Sequence, residues 1–300
     1  MRRRNRRMVW GESYARKTGV TNVRYRLPAL TLVFVVAGCA SNTAYAPNIG
    51  ATLGPTIRGL APRVLLDQEF NGGSLDKTLW YTCYPWAKRG AGCSNNPGLE
   101  LEWYEKANVS VGGGNANLVA LHQSAHHGYP FTSGMISTGG TPHSKATFSY
   151  LYGYAEARIK LPPGRGMWPA FWLVPANRSW PPEIDIMEWQ GVAPKDDIVT
   201  IHWGTAKHPQ SDGSTVDTGV NLATGFHTYG LDWQPNAVTW YFDGKAIKRY
   251  AQRAHIPRQP MYVILNLAIG GWLPGQLHPR PNDFPATMLV DYVKIWSSKP

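Results

Sequence analysis

The feature that most constrains the fold is a succession of short runs in which apolar residues return every second position. In "AVTWYFDGKAIKRY" (237–250), Val238, Trp240 and Phe242 alternate with polar neighbours, and Asp243-Gly244 follows as a tight-turn signal. "MLVDYVKIW" (288–296) alternates similarly, "YAEARIKLPPG" (154–164) adds a further strand, and "YVILNLAIGG" (262–271) is apolar enough to be buried on both faces. No stretch of helical period reaches comparable length. With 13 Trp, 15 Tyr, 31 Gly and 24 Pro, the chain reads as many short strands joined by turns. The expected architecture is all-β: a two-sheet antiparallel β-sandwich of jelly-roll type.

One run is chemically out of place. "PPEIDIMEWQG" (181–191) carries Glu183, Asp185 and Glu188 among residues otherwise fit for a buried strand. Period two puts Glu183 and Asp185 on one face and Glu188 on the other. One extra residue, a β-bulge at Ile186 or Met187, restores Glu188 to their face. Ile184, Ile186, Met187 and Trp189 make a poor solvated surface, and buried carboxylates without a task are costly. The parity argument therefore expects three carboxyls lining a single functional face.

The net charge of +11 invites an anionic partner, but residues 1–38 hold nine Lys/Arg and one acid, which leaves only +3 for the remainder. Basicity belongs to the leader and is no sign of nucleic acid. The basic segment precedes an apolar run, Leu27 to Ala37, that is too short for a permanent span of about 20 residues. The expected organisation is a secretory leader over 1–39, a flexible Pro/Gly-punctuated tether over 40–62, and one catalytic domain over 63–298. "VAGC" resembles a bacterial lipobox, which implies lipidation of Cys39 and membrane attachment through that lipid alone; cleavage after Ala46 is the rival. Outside the leader only Cys83 and Cys93 remain, in a loop that one disulfide can close in an oxidising compartment, whereas no further ligands are spaced for a metal there.

"GRGMWPAFWLVP", "PEIDIMEWQG", "FHTYGLDWQPNAVTWYFDGK", "VILNLAIGG" and "FPATMLVDYVKIW" follow in the order found in glycoside hydrolase family 16, and the resemblance to its laminarinase-type endo-β-glucanases runs from about Leu65 to Trp296. It implies an open concave cleft and hydrolysis with retention, Glu183 serving as nucleophile, Glu188 as acid/base, and Asp185 between them holding the nucleophile. It further implies substrate contacts at Trp168 and Trp172, whose even spacing allows both indoles on one strand face, at His202, at Glu102 and Tyr104 in "NNPGLELEWY", and at Asn266 and Trp272. Relatives that keep the bulge include laminarinases, agarases and carrageenases. The leading substrate is thus a β-1,3 or mixed β-1,3/1,4-glucan, with a galactan or exopolysaccharide behind it. Met135 stands where the family commonly has an arginine. Catalysis requires no cofactor; a structural Ca2+ at Asp291 of the last strand is the one metal the resemblance suggests. A monomer acting on polysaccharide is expected, outside the cytoplasm at the outer membrane, in the periplasm or beyond. A transglycosylase using the same intermediate and a carbohydrate-binding surface protein without turnover are the competing readings.

Overall fold

The computed structural model describes residues 61–87, 93–96, 98–125 and 128–300. The expected leader, the lipobox at Cys39 and almost all of the tether lie outside the described residues. Sixteen strands follow one another: β1 (Val64–Gln68), β2 (Glu102–Tyr104), β3 (Val109–Gly112), β4 (Asn115–Ala120), β5 (Phe131–Ser133), β6 (Met135–Ser137), β7 (Gly153–Lys160) and β8 (Met167–Pro175). The second half continues as β9 (Glu183–Glu188), β10 (Asp196–Thr205), β11 (His208–Asp217), β12 (His227–Gln234), β13 (Ala237–Phe242), β14 (Lys245–Tyr250), β15 (Met261–Ile269) and β16 (Ala286–Trp296).

An eight-stranded sheet runs in the order β14-β13-β12-β7-β16-β4-β3 with β1 added on β16, and a six-stranded sheet in the order β11-β10-β9-β8-β15-β6. Neighbours in both are antiparallel, as the jelly-roll reading requires. The two sheets face each other across the main core. Val238, Trp240 and Phe242 point into it from β13, and Asp243 and Gly244 turn the hairpin to β14 with φ of 45° and 73°. Two successive positive φ values are what a tight hairpin asks for, and an Asp-Gly pair adopts them at little cost. β15 is buried along its whole length, as its unbroken apolar run predicts. In β16 the alternation changes parity at Asp291: Met288 and Val290 are buried before it, Val293 and Ile295 after it, and the register to β7 slips between Val290 and Tyr292.

The bulge in β9 is present. Trp172 and Phe171 are adjacent on β8 but pair with Asp185 and Met187, so Ile186 is the extra residue. On the other side Thr200 and Ile198 pair with Asp185 and Glu188. Ile184, Ile186 and Met187 all pack into the inter-sheet core, which leaves the outer face of the strand to the acids. Where the ladder is broken, Trp240 Nε1 crosses the core from the opposite sheet and donates to the Asp185 carbonyl oxygen at 2.8 Å. Trp240→Phe keeps the site aromatic but orphans that buried carbonyl, at a cost of about 1–3 kcal/mol. The expected result is a lower denaturation midpoint, together with a loss of turnover that exceeds the loss of folded protein measured by circular dichroism.

Candidate active site

The outer face of the six-stranded sheet is covered unevenly. Over β8, β15 and β6 lies a second apolar cluster containing Tyr84, Tyr104, Met135, Trp172, Tyr262 and Ile264. Cys83, Tyr84, Ala87 and Cys93 cover it from outside the sheet, and the Cys83–Cys93 disulfide joins them with Cα atoms 5.2 Å apart. The acids sit beside this covered half, on β9.

Glu183, Asp185 and His202 form a tight group, His202 Nε2 lying 2.9 Å from Asp185 Oδ2 and 3.5 Å from Glu183 Oε1. The register explains the meeting, since His202 on β10 pairs directly with Glu183. Trp180 Nε1 donates to Glu183 Oε2 at 3.0 Å, and Trp168 Nε1 donates to Glu188 Oε1 at 3.1 Å. Each glutamate therefore keeps one oxygen for a fixed indole donor. Asp185 engages His202, so the aspartate expected to hold the nucleophile bonds to a histidine that itself borders it.

Burial pushes Glu183 up to about 8, with Asp185 adding repulsion while His202 and Trp180 pull the other way. Burial likewise raises Asp185 and Glu188 to about 8, the Asp185 charge contributing at Glu188. Carboxyls so close do not ionise independently: the first charge settles where water and donors are nearest, then holds protons on the others. Glu183 has 15% of its side chain exposed, against 5% for Asp185. With Trp180 donating to it and His202 beside it, Glu183 is the preferred seat of the first charge, and Glu188 the proton holder.

Several residues expected on the cleft surface lie beneath it. Trp168 and Trp172 share the face of the acids, but each is only 7% exposed, and neither ring is an open stacking platform. Trp172 is met edge-on by Tyr84 and Trp86 and donates to Asn266 Oδ1 at 2.7 Å; Asn266 Nδ2 in turn donates to the Tyr104 hydroxyl at 2.9 Å. Asn266 and Tyr104 are thus bonded to each other. Glu102 is wholly buried and accepts from the Ile269 backbone N–H at 2.6 Å, so it braces β15. Burial raises Glu102 well above the ordinary carboxylate range, the nearby Glu100 charge adding to it, and burial raises Glu100 as well. Met135 is fully buried opposite Asn266, replacing a donor by packing. Trp272 is half-buried and meets Trp168 edge-on at 4.9 Å, which places it at the Glu188 end of the site. Trp180, Trp86 and Glu100 belong to this region without having been singled out from the sequence; for Trp180 the available signal was an aromatic three residues before Glu183.

Asp291 is the bulged residue of β16, and its Oδ2 lies 2.5 Å from Arg158. Calcium collects oxygen ligands whose negative charge is not already neutralised. A carboxylate committed to a guanidinium is a poor fit. Among the described residues, the set that could converge on a metal is Glu183, Asp185 and His202 themselves.

The raised carboxyls have a consequence for stability. In the pH range between their ordinary values of 3.8 to 4.5 and about 8, the folded protein holds protons that the unfolded chain has released. Stability therefore falls as pH rises through that window. Asp197 adds to the effect: it faces the core behind Glu188, both its oxygens and the buried Tyr229 hydroxyl lack hydrogen-bond partners among the described residues, and burial raises it strongly. Thermal unfolding is expected at a higher temperature at pH 5 than at pH 8, and Asp197→Asn should narrow that difference by raising the value at pH 8.

The model of the family "Glycosyl hydrolases family 16" matches residues 95–294. The chain belongs to glycosyl hydrolase family 16. An endo-1,3-1,4-beta-glycanase, ExsH, of Rhizobium meliloti (strain 1021) is 35% identical over 239 residues, covering 73% of this chain and 48% of that protein. A beta-glucanase of Rhodothermus marinus is 37% identical over 220 residues, covering 66% of this chain and 74% of the relative. The chain thus spans about half the length of the Rhizobium glycanase. Among solved structures, the endo-beta-1,3-glucanase from Pyrococcus furiosus superposes with a TM-score of 0.65 at 30% identity, covering 79% of this chain and 94% of that one. Among the described residues, no helix is long and apolar enough to cross a membrane.

Proposed function

We propose that this protein is a retaining endo-glycosidase that cleaves internal β-1,3 or mixed β-1,3/1,4 linkages of a glucan. The observation that carries the reading is the Ile186 bulge, which brings Glu183, Asp185 and Glu188 to one face of an apolar strand. Retention needs two carboxyls that flank the scissile bond about 5–5.5 Å apart, and neighbouring positions on one strand face offer such a pair. In the first step Glu183 attacks the anomeric carbon and forms a glycosyl ester while Glu188 gives its proton to the departing oxygen. In the second, Glu188 takes a proton from water, the water oxygen attacks the same carbon, and the Glu183 carboxylate leaves. Asp185 and His202 stabilise the charge that moves on and off Glu183, and the two indole N–H groups keep both glutamates aimed.

The relatives' names support a β-glucan as substrate, and a keratan-sulfate endo-1,4-beta-galactosidase of Sphingobacterium multivorum, 30% identical over 251 residues, keeps a galactan in view. A protein named beta-1,3-glucan-binding protein, from Penaeus monodon and 26% identical, represents recognition without turnover. The intact acid trio favours catalysis. Export as a lipoprotein through Cys39 completes the proposal, since the disulfide suits an oxidising compartment.

The test is incubation with laminarin, lichenan, xyloglucan, agarose and an acidic exopolysaccharide, followed by product sizing. Falling chain length on laminarin or lichenan is expected; products larger than the starting oligosaccharide would indicate transglycosylation. Binding without any product would overturn the enzymatic reading.

A further inference from the structure

Among the described Trp, Tyr and Phe side chains, Trp86 alone is exposed, at 37%. Leaving an indole in water forfeits the gain from burying it. Tyr84, Pro85, Trp86 and Ala87 form a turn closed by the Ala87 N–H donating to the Tyr84 carbonyl at 3.0 Å. Pro85 occupies the turn position whose φ proline presets, which places Trp86 next to it at the apex.

Each side of the turn is anchored. Cys83, immediately before it, is tied to Cys93, and the Tyr104 N–H donates to the Cys93 carbonyl at 2.7 Å. Tyr84 is buried and stacks beneath Trp86 with centroids 4.6 Å apart and planes 16° from parallel. Pro85 sits so close to Gly139 that a Cβ on that glycine would lie 2.3 Å from Pro85 Cγ. Trp86 also meets Trp172 edge-on at 6.2 Å, and Trp172 pairs in the sheet with Asp185. One face of the indole is covered by Tyr84, and the ring continues the covered half of the site outward to solvent.

We propose that Trp86 is a sugar-stacking platform, a binding subsite beyond the bond being cleaved that takes a glucosyl unit of the same β-linked chain. The reasoning is of fit: a flat, preorganised indole suits the apolar face of a pyranose, and its order before binding reduces the entropic cost of association. The clasp and the Gly139 contact are the devices that keep it in place. This rests on the glucanase reading above. Trp86 consequently selects for substrate length, because only a chain long enough to reach the turn gains from it.

The experiment compares steady-state kinetics of wild type, Trp86→Ala, Trp86→Phe and Val64→Ala on a short and a long laminari-oligosaccharide. Val64 is an exposed apolar residue on β1 of the opposite sheet and serves as the control. For Trp86→Ala the KM of the long substrate should rise roughly tenfold or more, a difference of about 1.4 kcal/mol, with kcat changed little and the short substrate unaffected. Trp86→Phe should recover part of the loss, and Val64→Ala should match wild type. An unchanged KM for the long substrate, or an equal rise for both lengths, would overturn the subsite while leaving the glucanase reading intact. A wild-type protein that cleaves no glucan would overturn that reading and the subsite with it.

Discussion

Glu183→Gln is expected to lower turnover of a β-1,3-glucan on the order of 10^4-fold or more, because nothing else on that face replaces its attack on the anomeric carbon. The same variant should be as stable as the wild type or more so at neutral pH. Glu183 is a desolvated carboxyl next to Asp185, and the amide removes that repulsion while Trp180 Nε1 retains an oxygen to donate to. Activity lost with stability kept or gained is the sign of a residue retained for chemistry. Thermal unfolding at pH 7 beside initial rates on laminarin makes the comparison. Activity of the Glu183→Gln variant within tenfold of wild type would remove Glu183 from the mechanism.

Glu188→Gln should fail differently. On polysaccharide the loss is expected at roughly 10^2–10^4-fold, the usual contribution of a positioned general acid. An aryl glycoside whose phenol leaves unaided should still form the glycosyl ester, and the defect then moves to the second step, where water lacks a base. Azide needs no base. Added azide should therefore restore turnover of the aryl substrate and yield the β-glycosyl azide, since attack on the ester inverts a configuration already inverted once. In Glu183→Gln, azide acting in place of the missing carboxylate should give the α-azide. Identical azide products from the two variants would show that the two roles had been misassigned.

The architecture and the acid trio were legible because both rest on local periodicity. Alternation at Val238, Trp240 and Phe242 and the Asp243-Gly244 turn belong to a single hairpin, and the parity of "EIDIME" demands an extra residue whatever the rest of the chain does. Trp172, Tyr104, Asn266 and Glu102 show the boundary of such reasoning. Their positions face the right side of the sheet, as the spacing and resemblance suggest, but the roof over them is delivered by Cys83, Tyr84, Ala87 and Cys93, distant in sequence from β8 and β15. Alternation tells which side of a strand a residue occupies; it carries no information on what covers that side. The same limit applies to Trp86, because what gives an indole in a loop its meaning is its packing on Tyr84 and against Trp172. Asp291 is a third case, in which a single strand position could not disclose the guanidinium arriving from β7.

The measurement closest to the central claim is the configuration of the first product. Proton NMR of the reaction on a laminari-oligosaccharide, recorded faster than mutarotation, reads the anomeric centre directly. If Glu183 and Glu188 act as a retaining pair on the face created by the Ile186 bulge, the newly formed reducing end appears first as the β-anomer and the α-anomer follows by mutarotation. An α-anomer that appears first would mean a single displacement by water and would contradict the glycosyl-enzyme and the role given to Glu183.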